Sequence, residues 1–185
     1  MNKFFIRPED TALLVIDIQE RLYAVMEKEL KPALVKNNAI LTRTAQTFDM
    51  PVVVSEQYPK GLGPTITEMA ELLSGIPKIE KLCFSCFKDE PLKKAIVDAE
   101  RKNIVITGIE THVCVLQTVL DLLDAGYNPV VASDAVLSRN ASDRLAAIQA
   151  MRDAGAVIYP TETISFMLLE KAGTPEFRQL SPLFK

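Results

Sequence analysis

The sequence predicts a three-layer, doubly wound α/β fold with a mainly parallel sheet of about six strands. Short, continuous apolar runs recur along the 185 residues, and such runs are typical of strands buried on both faces. An amphipathic stretch of helical length follows most of them, which favours a parallel sheet covered by helices on both sides. Because no linker or repeat divides the chain, residues 1–185 are predicted to form a single domain.

The predicted strands are apolar runs of four to six residues. In chain order they are Thr11–Ile16, Pro51–Ser55, Lys78–Lys81, Asn103–Thr107, Pro129–Ala132 and Ala156–Tyr159. The third run is short and only weakly apolar, whereas Val, Ile, Leu and Ala dominate the others. Right-handed crossovers between parallel strands then place helices on both faces of the sheet.

Amphipathic segments supply the predicted helices. They are Lys36–Phe48, Ile66–Leu73, Pro91–Arg101, Val113–Ala125, Ala141–Ala154 and Thr163–Lys171, the last being the final substantial helix. Gly126 and Gly155 stand where two of these helices stop, and Asn140 is a candidate N-cap. The Pro and Gly residues of Tyr58–Pro64 indicate a loop.

Charge and composition restrict the classes of partner and the cell compartment. The chain carries 21 Lys and Arg against 24 Asp and Glu without a basic tract, so we expect neither nucleic acid nor membrane as partner. No apolar stretch reaches the ~18 residues of a membrane span, and the first ten residues do not resemble a signal peptide. Three cysteines do not suggest a secreted disulfide framework. The sequence therefore predicts a cytoplasmic protein.

Three polar residues stand out at the ends of predicted strands. Asp17 follows the first strand, Lys81 ends the third, and Cys114 comes shortly after the fourth. In doubly wound sheets, ligands bind beyond the carboxyl ends of the strands, where the strand order reverses. These residues are therefore the first candidates for a functional site.

Cys114 lies near the start of a predicted helix, where unpaired N–H groups and the helix dipole favour the nucleophilic thiolate. The same N–H groups could hold an oxyanion. The alternative is a buried structural thiol, since free cysteines are among the most buried residues.

A thiol nucleophile needs a base, and the chain offers two candidates. His112 is two residues from Cys114 and would project about 200° away on a regular helix. Asp17 emerges from the apolar run LLVI, although it could equally cap the following helix. Lys81 could orient Asp17, and the alternative is an ordinary surface lysine.

Cys83 and Cys86 have the C-x-x-C spacing. They could form a redox pair, contribute to a zinc site with His112 and Cys114, or be two small buried residues. The segment has no good helix signal and the His-x-Cys spacing is uncommon for zinc, so the buried interpretation is favoured. No nucleotide-binding glycine motif is present, and no cofactor is predicted.

Three separated segments resemble the motifs of the isochorismatase-like cysteine hydrolases. They are LLVIDIQ around Asp17, KLCFSCF from Lys81 and TGIETHVC ending at Cys114. The resemblance extends from Thr11 to about Gly173, and EQYPKGLGPT and DLLDAGY look closest to the isochorismatase domain-containing branch. It implies an isochorismatase-like, Rossmann-like fold with strand order 3-2-1-4-5-6.

The resemblance also implies a role for each matching residue. Cys114 matches the nucleophile, Asp17 the general base and Lys81 the orienting third member of the triad. A non-proline cis peptide is implied between Ile109 and Glu110. The backbone N–H groups of Glu110 and Cys114 would then form an oxyanion hole.

Departures from related families narrow the prediction. Nicotinamidases carry metal-binding histidines after the second strand, where this chain has Ser55, Glu56 and Gln57, so no metal is predicted. True isochorismatases, which cleave a vinyl ether, lack the cysteine, so Cys114 indicates acyl chemistry. The candidates for contacting substrate are Gln19, Gln57, Tyr58 and Phe84.

The sequence thus predicts a hydrolase that acts on a small amide or carbamoyl compound through a thioester. One alternative is a binding or scaffold protein with the same fold, and a weaker one is a redox protein that uses Cys83 and Cys86. The family resemblance implies self-association as a dimer or larger assembly.

Overall fold

Aliphatic runs form the strands of a single sheet in a computed structural model that describes residues 3–185. The strands are β1 (Thr11–Ile16), β2 (Val52–Gln57), β3 (Lys78–Lys81), β4 (Asn103–Ile109), β5 (Asn128–Leu137) and β6 (Val157–Tyr159). They pair in the order β3-β2-β1-β4-β5-β6, and every pair is parallel. The predicted doubly wound class and strand order are confirmed.

Helices connect the strands and cover the sheet. They are α1 (Glu20–Ala24), α2 (Lys31–Thr47), α3 (Pro59–Leu62), α4 (Thr67–Leu72), α5 (Glu90–Asp98), α6 (Leu116–Asp124), α7 (Ala141–Asp153), α8 (Thr161–Leu169) and α9 (Pro175–Leu180). The sequence did not predict α1, α3 and α9, because helices this short show little apolar periodicity. Helix α3 lies inside Tyr58–Pro64, so the prediction of a plain loop there is wrong.

Both faces of the sheet are buried under helices. Along β1, Leu13 and Val15 belong to one apolar cluster and Leu14 and Ile16 to the other. Helices α2, α4 and α8 contribute to the first cluster, and α5, α6 and α7 to the second. Polar side chains at the carboxyl end of β1 therefore emerge from a dry, low-dielectric layer, which strengthens their mutual electrostatic interactions.

Strand β5 extends well past the predicted Pro129–Ala132. The pairing with β4 shifts register, because Ile106 faces Val131 whereas Gly108 faces Val136. The extra residues include Ser133 and Asp134, whose polarity made the strand look finished in the sequence. An irregularity of this kind admits polar residues within a strand without ending it.

Gly108 allows the ends of β1 and β4 to approach closely. It pairs with Ile16, has a φ of 115°, and a Cβ atom added there would lie 1.9 Å from the Ile16 carbonyl oxygen. A residue with a side chain would collide with the backbone of β1. The residues that follow the two strands, Asp17 and the segment leading to Cys114, are thereby brought side by side.

Candidate active site

Three polar side chains from three strand ends meet in one buried cluster. Asp17 directly follows β1, Lys81 ends β3, and Cys114 lies in a π-helical turn, Thr111–Val115, between β4 and α6. Lys81 Nζ lies 2.7 Å from Asp17 Oδ2 and 3.5 Å from Cys114 Sγ. The structure therefore brings together the residues that the sequence singled out.

The Lys81 side chain is fully buried, so its interpretation as a surface lysine is wrong. Its ammonium group reaches Asp17 across the end of β2, where it donates a hydrogen bond to Gln57 Oε1 (2.6 Å). It also donates to the Phe84 carbonyl (3.0 Å). A buried lysine is tolerated only when its charge is paired and its protons are bonded, and these contacts meet both conditions.

Asp17 is held by a second chain of contacts. Its φ of 50° turns the backbone away from the strand, and Gln19 is the N-cap of α1, so the interpretation of Asp17 as a helix cap is wrong. Ser55 Oγ donates to Asp17 Oδ1 (2.7 Å), and Cys86 Sγ donates to Ser55 Oγ (3.6 Å). Sequence reasoning missed Ser55 and Cys86 as members of the site. The position of Ser55 at the end of the neighbouring strand was the available signal.

Burial and the neighbouring carboxylate keep the resting thiol neutral. Burial raises the pKa of Cys114, and Asp17 raises it further by its charge and a hydrogen bond, which together outweigh the lowering effect of Lys81. The expectation of a thiolate-favouring helix start is therefore wrong for the resting state. Burial also raises the pKa of Cys86 to about 11.

The ammonium group stays charged. Burial acts to lower the pKa of Lys81, but the raising effects, of which the charge of Asp17 is the largest, outweigh it. The pKa of Lys81 is consequently raised. A fixed positive charge therefore lies within contact distance of both the carboxylate and the sulfur.

Cys83 and Cys86 have different surroundings, and both are free thiols. Cys83 is exposed and donates to the Lys88 carbonyl (3.6 Å), so the prediction of two buried cysteines holds only for Cys86. Among residues 3–185, no group of three or more His, Cys, Asp or Glu side chains is arranged to hold a metal ion.

The segment before Cys114 has an unusual backbone. The Ile109–Glu110 peptide bond is cis, which confirms the expectation. In the π-helical turn, the Glu110 carbonyl accepts hydrogen bonds from the N–H groups of Val113 (3.1 Å) and Val115 (3.2 Å) on either side of Cys114. His112 makes its side-chain contact with Ser138, at 3.0 Å between Nδ1 and Oγ, and not with the thiol.

The candidate substrate contacts fall into two groups. Gln19 and Gln57 are buried, and Gln19 bonds to Gln57 through Nε2 to its carbonyl (3.0 Å) and Oε1 to its N–H (2.7 Å). Gln57 in turn holds Lys81. Tyr58 and Phe84 have side chains that are about half exposed. The Tyr58 N–H donates to the Lys81 carbonyl (3.0 Å), and the Phe84 carbonyl accepts from Lys81 Nζ. Of the four candidates, Tyr58 and Phe84 are therefore the two with exposed side chains.

One cavity includes a residue of the cluster in its lining, whereas a larger one includes none. Tyr58, Lys81 and Leu82 contribute to one of about 320 Å³. A larger one of about 770 Å³ is lined by Phe5, Phe166 and Met167, among others, and by none of the clustered residues. The chemistry and not the cavity size therefore locates the candidate site.

Comparison with known proteins places the chain in a family. Residues 11–163 match the Isochorismatase domain model. The chain belongs to the isochorismatase family. A curated member, isochorismatase domain-containing protein 2A from Mus musculus, is 34% identical over 182 residues, covering 97% of this chain and 85% of the mouse protein. The fold is thus that of an isochorismatase-family hydrolase.

Solved structures of other proteins share the fold. The MAR1 ribonuclease of Caenorhabditis elegans superposes with a TM-score of 0.89 at 35% identity, covering 97% of this chain and 91% of that one. YcaC from Pseudomonas aeruginosa, solved with hexane-2,5-diol and covalent acrylamide, gives a TM-score of 0.88 at 26% identity with the same coverage.

Proposed function

We propose that the chain is a cysteine hydrolase that cleaves a small amide or carbamoyl compound through a thioester on Cys114. One observation carries the proposal: the thiol, the Asp17 carboxylate and the Lys81 ammonium form a single buried cluster. Membership of a hydrolase family supports it. The covalent acrylamide of the Pseudomonas relative is consistent with a nucleophile in this fold.

The acylation step uses Asp17 as the base. As Cys114 Sγ bonds to the carbonyl carbon, Asp17 takes the thiol proton and the carbonyl electron pair moves onto oxygen. The N–H groups of Glu110 and Cys114 would stabilise this oxyanion. A thiol that is neutral at rest suits this order of events, because the proton leaves as the bond forms. Lys81 holds Asp17 in place throughout.

The intermediate then collapses and is hydrolysed. The carbon–nitrogen bond breaks, and Asp17 gives its proton to the leaving amine. A water molecule adds to the thioester carbonyl and transfers a proton to Asp17. The carbon–sulfur bond breaks, sulfur recovers the proton, and the acid is released.

The burial of the cluster argues for a small substrate. Cys114 keeps 4% of its surface exposed, whereas Asp17 keeps none. Only a compact carbonyl group can approach the sulfur under these conditions. The exposed side chains of Tyr58, Leu82 and Phe84 would contact the rest of the substrate through apolar surface.

A substrate screen with a nucleophile variant tests the proposal. Small amides, ureides and carbamoyl compounds are incubated with the wild type, Cys114→Ala and the control Cys83→Ala, which removes an exposed thiol. We expect turnover of at least one compound to fall by at least about 10³-fold in Cys114→Ala and to persist in Cys83→Ala. Equal turnover by wild type and Cys114→Ala would exclude the mechanism.

The name of the nematode relative raises RNA cleavage as a second candidate. The net charge of −3 and the absence of a basic tract favour a small substrate over a polyanion. RNA cleavage that is lost in Cys114→Ala would favour ribonuclease activity over hydrolysis of a small amide. Saturable binding of a screened compound without turnover would instead favour a binding or scaffold role.

A further inference from the structure

An arginine on the loop after β5 forms a hydrogen-bonded ion pair with Glu110, the residue before the π-helical turn that contains Cys114. Arg139 donates from Nε to Glu110 Oε1 (2.9 Å) and from Nη2 to Glu110 Oε2 (2.7 Å). Its backbone N–H also donates to Oε1 (3.2 Å). The Glu110 side chain is 4% exposed, whereas that of Arg139 is 55% exposed. A surface residue therefore reaches inward and fixes a buried carboxylate.

The neighbouring residue makes a second attachment to the same segment. Ser138 is buried, and its Oγ lies 3.0 Å from His112 Nδ1. Two adjacent loop residues thus hold two positions of the segment that runs from the cis bond to Cys114. A bidentate arginine fork restricts both the direction and the plane of the carboxylate it binds.

These contacts matter for the reaction because Glu110 would supply an oxyanion donor. The backbone N–H of Glu110 and the side chain bound by Arg139 belong to one residue. Fixing the side chain therefore limits rotation of the N–H. The guanidinium also neutralises a carboxylate beside the site of the developing oxyanion. Burial acts to raise the pKa of Glu110, but the hydrogen bonds and charge of Arg139 outweigh it and lower that pKa.

We propose that Arg139 is a positioning residue that fixes Glu110, so that the oxyanion donors are correctly placed when a carbonyl oxygen becomes negative. The inference rests on the proposed function. Arg139 Nε and Nη2 both donate to the Glu110 carboxylate, so the arginine acts on the site through that residue. Its loss should slow steps that build an oxyanion and spare thiol reactions that do not.

Two thiol reagents separate these effects. Cys114 Sγ adds to the terminal carbon of acrylamide, and the amide oxygen carries a negative charge in the intermediate. The thiol proton is then transferred to the adjacent carbon. Methyl methanethiosulfonate transfers its methylthio group to Cys114 Sγ. The S–S bond of the reagent breaks, methanesulfinate leaves, the thiol proton is lost, and no oxyanion forms on a carbonyl. A change in the ratio of the two rates between parent and variant therefore reports a change in oxyanion stabilisation. A change in access to the thiol would alter both rates.

The experiment measures both rates at pH 7 by mass spectrometry in a Cys83→Ser parent, which lacks the exposed thiol. We expect Arg139→Gln to lower the acrylamide rate at least about tenfold and to change the methanethiosulfonate rate less than about twofold. Arg139→Lys, which keeps the charge but not the fork, should recover part of the loss. The exposed Arg152→Gln should match the parent.

A second variant covers the case in which Arg139→Gln is unstable because Glu110 is left charged and unpaired. Glu110→Gln combined with Arg139→Gln removes both charges and should show the same selective loss. Equal loss of both rates, or parental acrylamide reactivity in the double variant, would overturn the role of Arg139. A parent that forms no acrylamide adduct on Cys114 would instead overturn the proposed function and this inference with it.

Discussion

Buried polar residues define the site at the scale of single side chains. Lys81, Asp17 and Ser55 satisfy one another in a layer that excludes water, and Cys86 completes the chain of contacts. The sequence could indicate Asp17 and Cys114 because each follows an apolar run. It could not show that Lys81 turns inward, because a lone lysine at the end of a weak strand looks like any surface lysine.

The buried thiol of Cys86 should make the free energy of unfolding change with pH in the alkaline range. Its pKa is about 11 in the folded chain, against ~8.5 in an unfolded chain. As pH rises between these values, the unfolded chain loses the proton first, so the free energy of unfolding falls. Across this pH range, the free energy of unfolding of Cys86→Ala should fall by about 3 kcal/mol less than that of the wild type. Urea denaturation at a series of pH values measures the difference.

The exposed Cys83 provides the matched control for this measurement. Cys83→Ala removes a thiol that stays in solvent on folding, so its stability should follow the wild-type pH curve. Parallel curves for the wild type and Cys86→Ala would show that Cys86 is not held neutral by the fold.

At the scale of elements, the approach of β1 and β4 assembles the site. The sequence predicted β1 and β3 with the correct bounds. A continuous apolar run marks β1, whereas β3 is short and only weakly apolar. The sequence placed Cys114 at or near the start of a helix and did not predict the π-helical turn, because the turn depends on hydrogen bonds to the Glu110 carbonyl that no local pattern reveals.

Gly108 tests the role of this close approach. Gly108→Ala should lower the free energy of unfolding by about 3 kcal/mol or more, since the added methyl group collides with the Ile16 carbonyl. Gly173→Ala is the control, because its φ of 80° is also positive but nothing lies within 4 Å of the added carbon. Chemical denaturation compares the two. Equal stability of both variants would show that β1 and β4 tolerate wider spacing.

At the scale of the whole molecule, the family and the fold are established. No helix in residues 3–185 is long and apolar enough to cross a membrane. The cytoplasmic location, the single domain and self-association stay predictions. The exposed aromatic residues Phe5 and Phe84 show that part of the apolar surface is available for contact with other molecules.

The fold should create a chemical preference for Cys114 over Cys83. Cys114 is 4% exposed whereas Cys83 is an exposed thiol, so simple access favours Cys83. If Asp17 serves as base beside an oxyanion hole, the order reverses for a reagent with a carbonyl group.

The most direct test is peptide mapping of the chain after brief exposure to acrylamide at pH 7, once folded and once in urea. We predict that the folded protein is modified at Cys114 at least about ten times faster than at Cys83, and that urea abolishes the preference. Modification of Cys83 first in the folded protein, with Cys114 untouched, would contradict the assignment of Cys114 as the nucleophile.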